Sequence, residues 1–464
     1  MKRTWWVVPY FSGMLAVFAV AGLLSLTVLH HSPKPKAGAA ALSTQQATQQ
    51  ATQSATLPRP AQMVTDTLFR ALTADLQAHD EAKLLSLVAP AARPAVQAWW
   101  QNLNAIGYTT GVIIPTGSNS VVNLDRQGDG TLTVLAGAHN TYDPVSSQNK
   151  DPDIPCERYQ LGVHFASATA IGQITSWHPL NDAPWDQTTR LHVRTAPHLV
   201  VAGLPGDKAL VNQILPEAEA AANFDGGLLS HVNANDLHQD GFIVFAGTAN
   251  WFSTGPQTAG WPQAYQDGRT VPLTGAIGDM TGITTGIASG TTGGARVMVT
   301  GTQSTAQLVR LFMLDILAPD DSGLIGGFAP PTLPQWTLQG IADAVQGLYA
   351  ANPNPVLTHY NFSALTAELR ALPASYRSGQ LPTSKQLSSG TATARKDWNA
   401  VAASVYAYIG SSYGMNQMFG SAALLYTGEP TPFGNVLASS KGGTYRFYAS
   451  ATMKDRWRAW LASL

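Results

Sequence analysis

One serine in this chain has the surroundings of a catalytic nucleophile. Residues 410–414 read Gly-Ser-Ser-Tyr-Gly, which matches the GxSxG pattern of hydrolases that attack through a serine at a sharp turn. His359 would serve as the base for Ser412, and Asp397 or Glu368 would orient that histidine. Such a turn follows a buried strand, but apolar residues at helical spacing precede this one: Trp398, Val401, Val405 and Tyr408. The pattern favours a helix end, and a hydrolase around Ser412 is kept as the alternative function.

Two polar clusters carry side chains that could bind a metal ion. The first imitates the front of a calcium loop: Asp125, Gln127, Asp129 and Gly130. The twelfth position is Ala136, where a calcium loop needs a glutamate, so a hairpin turn is predicted. The second cluster is denser: His231, Asp236, His238 and Asp240. Its spacing lies in a loop before a strand, which favours a solvated connection.

The elements that would position these residues change character along the chain. Between residues 62 and 106, apolar residues recur every three or four positions, which predicts two or three packed helices. After a turn at residues 127–130 the period becomes two, which indicates antiparallel strands. This order resembles the cone-shaped α+β domain of the NTF2-like group, over residues 61–185.

From residue 188 onward the pattern mixes strands and helices. A hairpin, a helix and a buried strand are predicted in that order, over 191–202, 207–224 and 242–245. The Gly/Thr-rich segment 275–294 lacks phosphate-loop spacing and indicates turns between short strands. A strand over 296–300 precedes a helix that Ser304 and Gln307 would begin as a capping box, and that would run to residue 318. A further helix is expected after Pro334.

The start of that further helix carries a family resemblance. Residues 334–343 read PQWTLQGIAD, which resembles the P-x-W-L-x-E-G-x-A-D element of the peptidase-MA-like gluzincins, zinc metallopeptidase relatives found in bacterial envelope proteins. Two helical segments at 363–372 and 397–409 follow in the order that the family shows, so the resemblance covers roughly residues 188–440. It implies a mixed α/β domain that becomes α-helical, with a zinc-binding HExxH helix shortly before this element.

The zinc chemistry of that family is absent from the matching positions. A gluzincin holds Zn²⁺ with two histidines one helical turn apart and a downstream carboxylate, and a glutamate activates water. The nearest alignment puts Arg310, Leu311 and Leu314 at the His, Glu and His positions, and Gln339 at the third ligand. These four and Trp336 form the predicted relic site. We therefore predict no metal, no cofactor and no catalytic residue, and Trp336 should pack against the preceding helix through the space where a gluzincin holds zinc.

The N-terminus predicts a membrane anchor. An uncharged run begins at Trp5 and ends at Leu29, about 25 residues, which is long enough to cross a bilayer. Residues 1–32 are therefore assigned to a transmembrane anchor and 33–60, rich in Gln, Thr and Ala, to a disordered linker. A cleaved signal peptide is the alternative. A short N-terminus before a large domain indicates a single-pass protein of the cytoplasmic membrane with its bulk extracytoplasmic.

Composition narrows the class of partner. The net charge is −1 and 12% of residues are charged, which argues against a nucleic-acid partner. The final helix could lie on a membrane surface or close a core with its apolar stripe: Met453, Trp457, Trp460, Leu461 and Leu464. We predict an α+β chain with an NTF2-like domain (61–185) and a degenerate peptidase-MA-like domain (186–464). It would be a non-catalytic protein that binds an envelope protein or polymer.

Overall fold

The computed structural model describes part of the chain: residues 61–116, 121–142, 153–167, 169–180, 183–230, 241–247, 269–277, 292–317, 335–354, 360–425, 437–439, 445–447 and 450–464. The predicted anchor from Trp5 to Leu29 and the predicted linker 33–60 lie outside these residues. Within them, no helix is long and apolar enough to cross a membrane.

The N-terminal region, residues 61–185, places three helices between a short first strand and five further strands, and its strands pair antiparallel. The helices are α1 (Asp66–Gln77), α2 (Glu81–Ser86) and α3 (Arg93–Ala105), as the helical spacing predicts. The strands are β1 (Ala61–Val64), β2 (Tyr108–Pro115), β3 (Val121–Leu124), β4 (Asp129–Asn140), β5 (Asp153–His164) and β6 (Gln173–Pro179). The change of period in the sequence therefore marks a real change from helices to strands.

The C-terminal region, residues 186–464, begins with strands and ends with helices. Its strands are β7 (His192–Ala196), β8 (Leu199–Gly203), β9 (Phe242–Gly247), β10 (Arg269–Ile277), β11 (Thr292–Thr300), β12 (Leu437–Ser439) and β13 (Tyr445–Phe447). Its helices are α4 (Lys208–Ser230), α5 (Thr305–Ile316), α6 (Gln335–Ala351), α7 (Ser363–Ala371), α8 (Ser384–Ser388), α9 (Ala392–Tyr413), α10 (Met415–Leu425) and α11 (Ser450–Ser463). The predicted α+β class is confirmed. Helix α4 continues to Ser230, beyond the predicted end at residue 224.

One sheet joins the two regions. Its strand order is β2-β4-β5-β10-β11-β9-β8-β7, and β6 also pairs with β5. The pairs β11–β9 and β9–β8 are parallel, and the other pairs are antiparallel. Strand β10 connects the regions because it pairs with β5 on one side and β11 on the other. The boundary between residues 185 and 186 stays a prediction, and the sheet continues across it.

Alternate residues of the shared strands point to opposite sides of the sheet. In β8, Leu199 and Val201 join the C-terminal core, which the helices from α4 onward cover. Their neighbours Val200 and Ala202 join the N-terminal core, which contains the apolar residues of α1, α2 and α3. This alternation is the period-two pattern of a strand that is buried on both faces.

The capping box predicted at residues 304 and 307 is confirmed. Ser304 accepts a hydrogen bond from the backbone N–H of Gln307, whose side-chain oxygen accepts from the backbone N–H of Ser304 at 2.9 Å. The Glu217 carboxylate also accepts from Thr305 N–H, which stabilises the positive end of the α5 dipole. Phe312 of α5 then stacks on Phe242 of β9 with ring centroids 4.1 Å apart. Helix α5 is thereby fixed on the sheet.

The last helix closes the C-terminal core. Met453, Trp457 and Leu461 of α11 are fully buried there. Trp457 donates its indole N–H to the Ser404 hydroxyl of α9 at 3.0 Å, so the polar edge of the ring is also satisfied. Core closure is therefore the correct reading of the apolar stripe on α11.

Candidate functional site

A cavity of about 530 Å³ lies among four helices of the C-terminal region, α5, α6, α7 and α9. Its volume is within the range of small-molecule binding sites. Seven of the sixteen lining residues are alanine or glycine: Ala306, Gly347, Ala350, Ala364, Ala392, Ala400 and Ala403. Because these side chains end at or before Cβ, the four helix faces cannot fill the space between them.

An ion pair lies deep in this cavity. The Nε–H of Arg310, from α5, donates to Oδ1 of Asp343, from α6. The side chains are only 20% and 12% exposed, so both charges are largely withdrawn from water. Burial raises the pKa of the Asp343 carboxyl above its ordinary value, although the neighbouring Arg310 guanidinium acts to lower it. A second positive group near Asp343 would favour its charged form.

A second, more exposed ion pair lies at the edge of the cavity. Lys396 Nζ is 3.1 Å from Glu368 Oε1, with side chains 75% and 37% exposed. Arg395 also lines the cavity and donates to the backbone oxygen of Gly390 at 2.8 Å. The lining thus carries three cations and two carboxylates, because Arg310, Arg395 and Lys396 outnumber Asp343 and Glu368.

Two hydrogen-bond acceptors of the lining residues have no partner within the described part of the chain. They are Asp343 Oδ2 and Asn399 Oδ1, and both atoms are shielded from solvent. A buried polar atom without a hydrogen bond costs about 1–3 kcal/mol, so such atoms are rare unless something else supplies the partner. Asp343 and Asn399 both line the cavity, so a turn of either side chain toward the space would let a ligand with N–H or O–H donors satisfy its unpartnered oxygen.

Of the five predicted relic-site residues, only Arg310 lines the cavity. Leu311 and Trp336 are buried in the C-terminal core and Leu314 packs at its edge. Gln339 has a buried side-chain oxygen without a partner among the described residues, but it is not a lining residue. The structure therefore brings Arg310 together with Asp343 rather than with the other four.

The predicted packing of α6 on α5 is confirmed. The apolar residues involved belong to one buried cluster: Leu308, Leu311, Phe312, Trp336, Ile341, Val345 and Leu348. Gly340, within the family-like element, allows α6 to approach α9 closely, because a Cβ there would lie 2.7 Å from the backbone oxygen of Ala402. The element that suggested the family thus positions the cavity wall.

Sequence reasoning missed most of the site. Asp343 appears in the sequence pattern only as the last residue of the family-like element 334–343. No motif marks Arg395, Lys396 or Asn399. One signal was available, because Arg310 and Asp343 each interrupt a run of buried residues in their helices. A charged residue in such a run needs an opposite charge nearby.

The region around Ser412 does not form a nucleophile turn. Ser412 lies in the last turn of α9, and Gly414 ends that helix with a φ of 96°. The prediction of a helix end is confirmed, and the strand-to-helix turn needed by the hydrolase alternative is not present at Ser412. His359 lies outside the described residues, and Glu368 pairs with Lys396.

The loop at Asp125 is a hairpin turn, as predicted. Asp125 Oδ1 accepts hydrogen bonds from the backbone N–H groups of Gln127 and Asp129, at 2.8 and 2.9 Å. The second cluster, His231, Asp236, His238 and Asp240, lies outside the described residues. In the part of the chain that the structure describes, no group of three or more His, Cys, Asp or Glu side chains could hold a metal ion.

Comparisons of the chain with protein-family models, with curated proteins and with solved structures give no match. The NTF2-like and peptidase-MA-like resemblances therefore remain predictions. The function has to be argued from the cavity.

Proposed function

We propose that this protein is a membrane-anchored, extracytoplasmic binding protein whose peptidase-MA-like domain lacks a zinc site and takes a ligand in the four-helix cavity. The observation that carries the proposal is that two residues lining about 530 Å³ of space, Asp343 and Asn399, each hold an acceptor oxygen without a partner among the described residues. Polar groups in that state are costly unless a ligand completes them.

The residues at the zinc-ligand positions support binding over catalysis. Leucine side chains at positions 311 and 314 have no atom that coordinates a metal, and both belong to the apolar packing. Arg310 brings a permanent positive charge, which repels Zn²⁺. A metallopeptidase also needs a base for its bound water, and no residue at these positions supplies one.

A cavity-filling variant tests the binding function. Ala364→Phe on α7 places a large side chain at the lining, whereas Ala367→Phe changes an exposed position of the same helix outside the lining. The full chain in detergent would be screened by thermal shift against amino acids, sugars, nucleotides, polyamines and dicarboxylates. We expect a compound that stabilises the wild type and Ala367→Phe but not Ala364→Phe. Absence of any such compound would contradict the proposal.

Elemental analysis and protease assays test the loss of catalysis. The purified full chain should carry no stoichiometric zinc and should cleave no protein in a chelator-sensitive way. Gln339→Glu should not recover zinc, because both histidines would still be missing. One equivalent of zinc together with chelator-inhibited proteolysis would refute the reading of a degenerate domain.

The anchored, extracytoplasmic location is tested separately. Protease added to intact spheroplasts should remove the region after residue 60. Protection of that region until the membrane is lysed would overturn the assignment, which depends on the run from Trp5 to Leu29.

A further inference from the structure

We infer that the cavity takes a small zwitterion, an α-amino acid being the simplest member, with its ammonium group on Asp343 and Asn399 and its carboxylate toward Arg395. The inference rests on the proposed binding function and names the class of ligand. Three independent features of the lining lead to it: the unpartnered acceptors, the charge balance and the order of residues along α9.

The acceptors define the inner end of the ligand. Asp343 Oδ2 and Asn399 Oδ1 both need a donor, and an ammonium group offers three N–H bonds from one atom. Its positive charge also matches Asp343, whose burial makes the isolated negative charge unfavourable. A ligand carboxylate in the same place would face Asp343 and leave both acceptors unpaired.

The charge balance defines the outer end. Arg310 pairs with Asp343 and Lys396 pairs with Glu368, but Arg395 has no carboxylate partner among the described residues. Its one side-chain hydrogen bond among the described residues uses one guanidinium nitrogen, so further N–H groups remain for a ligand. A guanidinium matches a carboxylate in shape and charge. A ligand carboxylate would give Arg395 the opposite charge that it lacks among the described residues.

The order of residues along α9 places the two ends. Arg395 and Asn399 are four residues apart, so their side chains leave the same helix face about 6 Å from each other. Arg395 is one turn closer to the N-terminus of α9, where the helix dipole favours a negative group. The carboxylate would thus lie on the positive side of the cavity, and the ammonium one turn deeper along α9.

The remaining wall suits a short aliphatic group. Alanine, glycine and Leu365 form its apolar part beside two polar residues, Gln307 and Gln346, and no aromatic side chain is among the lining residues of the described chain. Sugars and nucleobases are commonly held by stacking on aromatic rings, which this wall does not offer. An aliphatic amino-acid side chain could instead contact the alanine methyl groups.

Matched ligands test the inference by calorimetry on the full chain in detergent. The amino acid that gives the largest thermal shift would be compared with its amide, which lacks the carboxylate, and with its des-amino acid, which lacks the ammonium. We expect each analogue to bind at least about tenfold more weakly than the amino acid, the effect of losing one charge-assisted hydrogen bond. Equal affinity for either analogue would overturn the assignment of that end.

A variant then identifies the carboxylate partner. Arg395→Gln should weaken binding of the amino acid by about tenfold and leave the affinity for its amide unchanged, because the amide has no carboxylate for Arg395 to bind. Arg370→Gln, an exposed position of α7 outside the lining, is the matched control and should change neither affinity. Equal weakening of amino acid and amide by Arg395→Gln would refute the proposed orientation.

The outcomes separate the two proposals. If Ala364→Phe abolishes binding of a sugar, a polyamine or a dicarboxylate while no amino acid binds, the zwitterion is wrong and the binding function survives. If no compound binds in a way that Ala364→Phe prevents, both fail. If amino acids bind equally to the wild type and Ala364→Phe, they occupy another place, and the inference is again overturned.

Discussion

Tyr159 in the N-terminal core and Asp343 at the cavity are both buried polar residues, but their surroundings differ. Tyr159 donates to Asp186 at 2.8 Å and accepts from the Trp99 indole at 3.0 Å, and the ring of Trp177 packs 4.7 Å from its own. Asp343 has one oxygen paired with Arg310 and the other shielded from solvent and unpaired among the described residues. The Tyr159 hydroxyl both donates and accepts within the fold, whereas one oxygen of Asp343 has no partner among the described residues.

The comparison separates buried polar groups that are satisfied within the fold from those that a ligand would satisfy under the proposed function. Asn102, also in the N-terminal region, donates to the backbone oxygens of Trp185 and Gln187 and accepts from the backbone N–H of Leu191. Those contacts hold a connecting segment on α3 and leave no space. At the cavity, small side chains keep the space open, and two acceptors of the lining residues have no partner in the described part of the chain.

The largest effect is expected for Asn102, whose side chain makes its hydrogen bonds within the fold. Asn102→Leu should lower the free energy of unfolding by about 3 kcal/mol or more, because several buried backbone groups lose their partner at once. Urea denaturation measures it, with Asn104→Leu on the exposed face of α3 as the control. A loss below about 1 kcal/mol would show that this network is not structural and would weaken the comparison.

A double-mutant cycle tests the deep ion pair. Arg310→Met and Asp343→Leu should each lower the free energy of unfolding by about 2 kcal/mol, because each leaves the other charge buried and unpaired. The double variant should lose only about 1–3 kcal/mol instead of the summed loss of about 4 kcal/mol, which would give a coupling of about 1–3 kcal/mol. Additive losses in urea denaturation would mean that the two charges do not depend on each other.

Asp225 sharpens the comparison, since it is fully buried without a partner in the described residues and does not line the cavity. Burial raises its pKa well above 3.8, so the folded state keeps its proton where the unfolded state has released it. The stability that the protonated Asp225 carboxyl allows is fully present below pH 3.8 and is lost as pH rises through the folded-state pKa.

Asp225→Leu should therefore stabilise the protein by about 1 kcal/mol at pH 8, and the gain should shrink toward pH 4. Thermal unfolding across that range measures it. Asn223→Leu, an exposed position on α4, should show no such trend. A gain that is independent of pH would contradict the assignment to the carboxyl group.

The smallest effect is expected for the exposed ion pair at the edge of the cavity. Lys396→Gln and Glu368→Gln should each change the free energy of unfolding by about 0.5 kcal/mol or less, because solvent and salt screen such pairs. The same urea experiments measure it. A loss of unfolding free energy as large as that of Arg310→Met would mean that the Lys396–Glu368 pair and the Arg310–Asp343 pair form one buried network.

Much of the local structure could be predicted because it depends on short-range patterns. The capping box at Ser304, the helix after Pro334 and the core role of Trp457 each follow from neighbours within a few turns. The cavity could not, because it requires four helices to bring small residues together. The sheet that continues across the predicted boundary at residues 185 and 186 could not be predicted either, because the pairing of Cys156 with Thr274 joins distant parts of the chain.

That pairing determines the order in which the protein can be completed on the ribosome. Strand β6 pairs with β5 from Tyr159 to His164. The same edge of β5 from Asp153 to Cys156 pairs only with β10, which is synthesised later. An open strand edge can pair with other chains, and contacts distant in sequence form slowly. The growing chain therefore has an unpaired strand edge until residue 277 has been synthesised. During this interval the chain is most prone to aggregate.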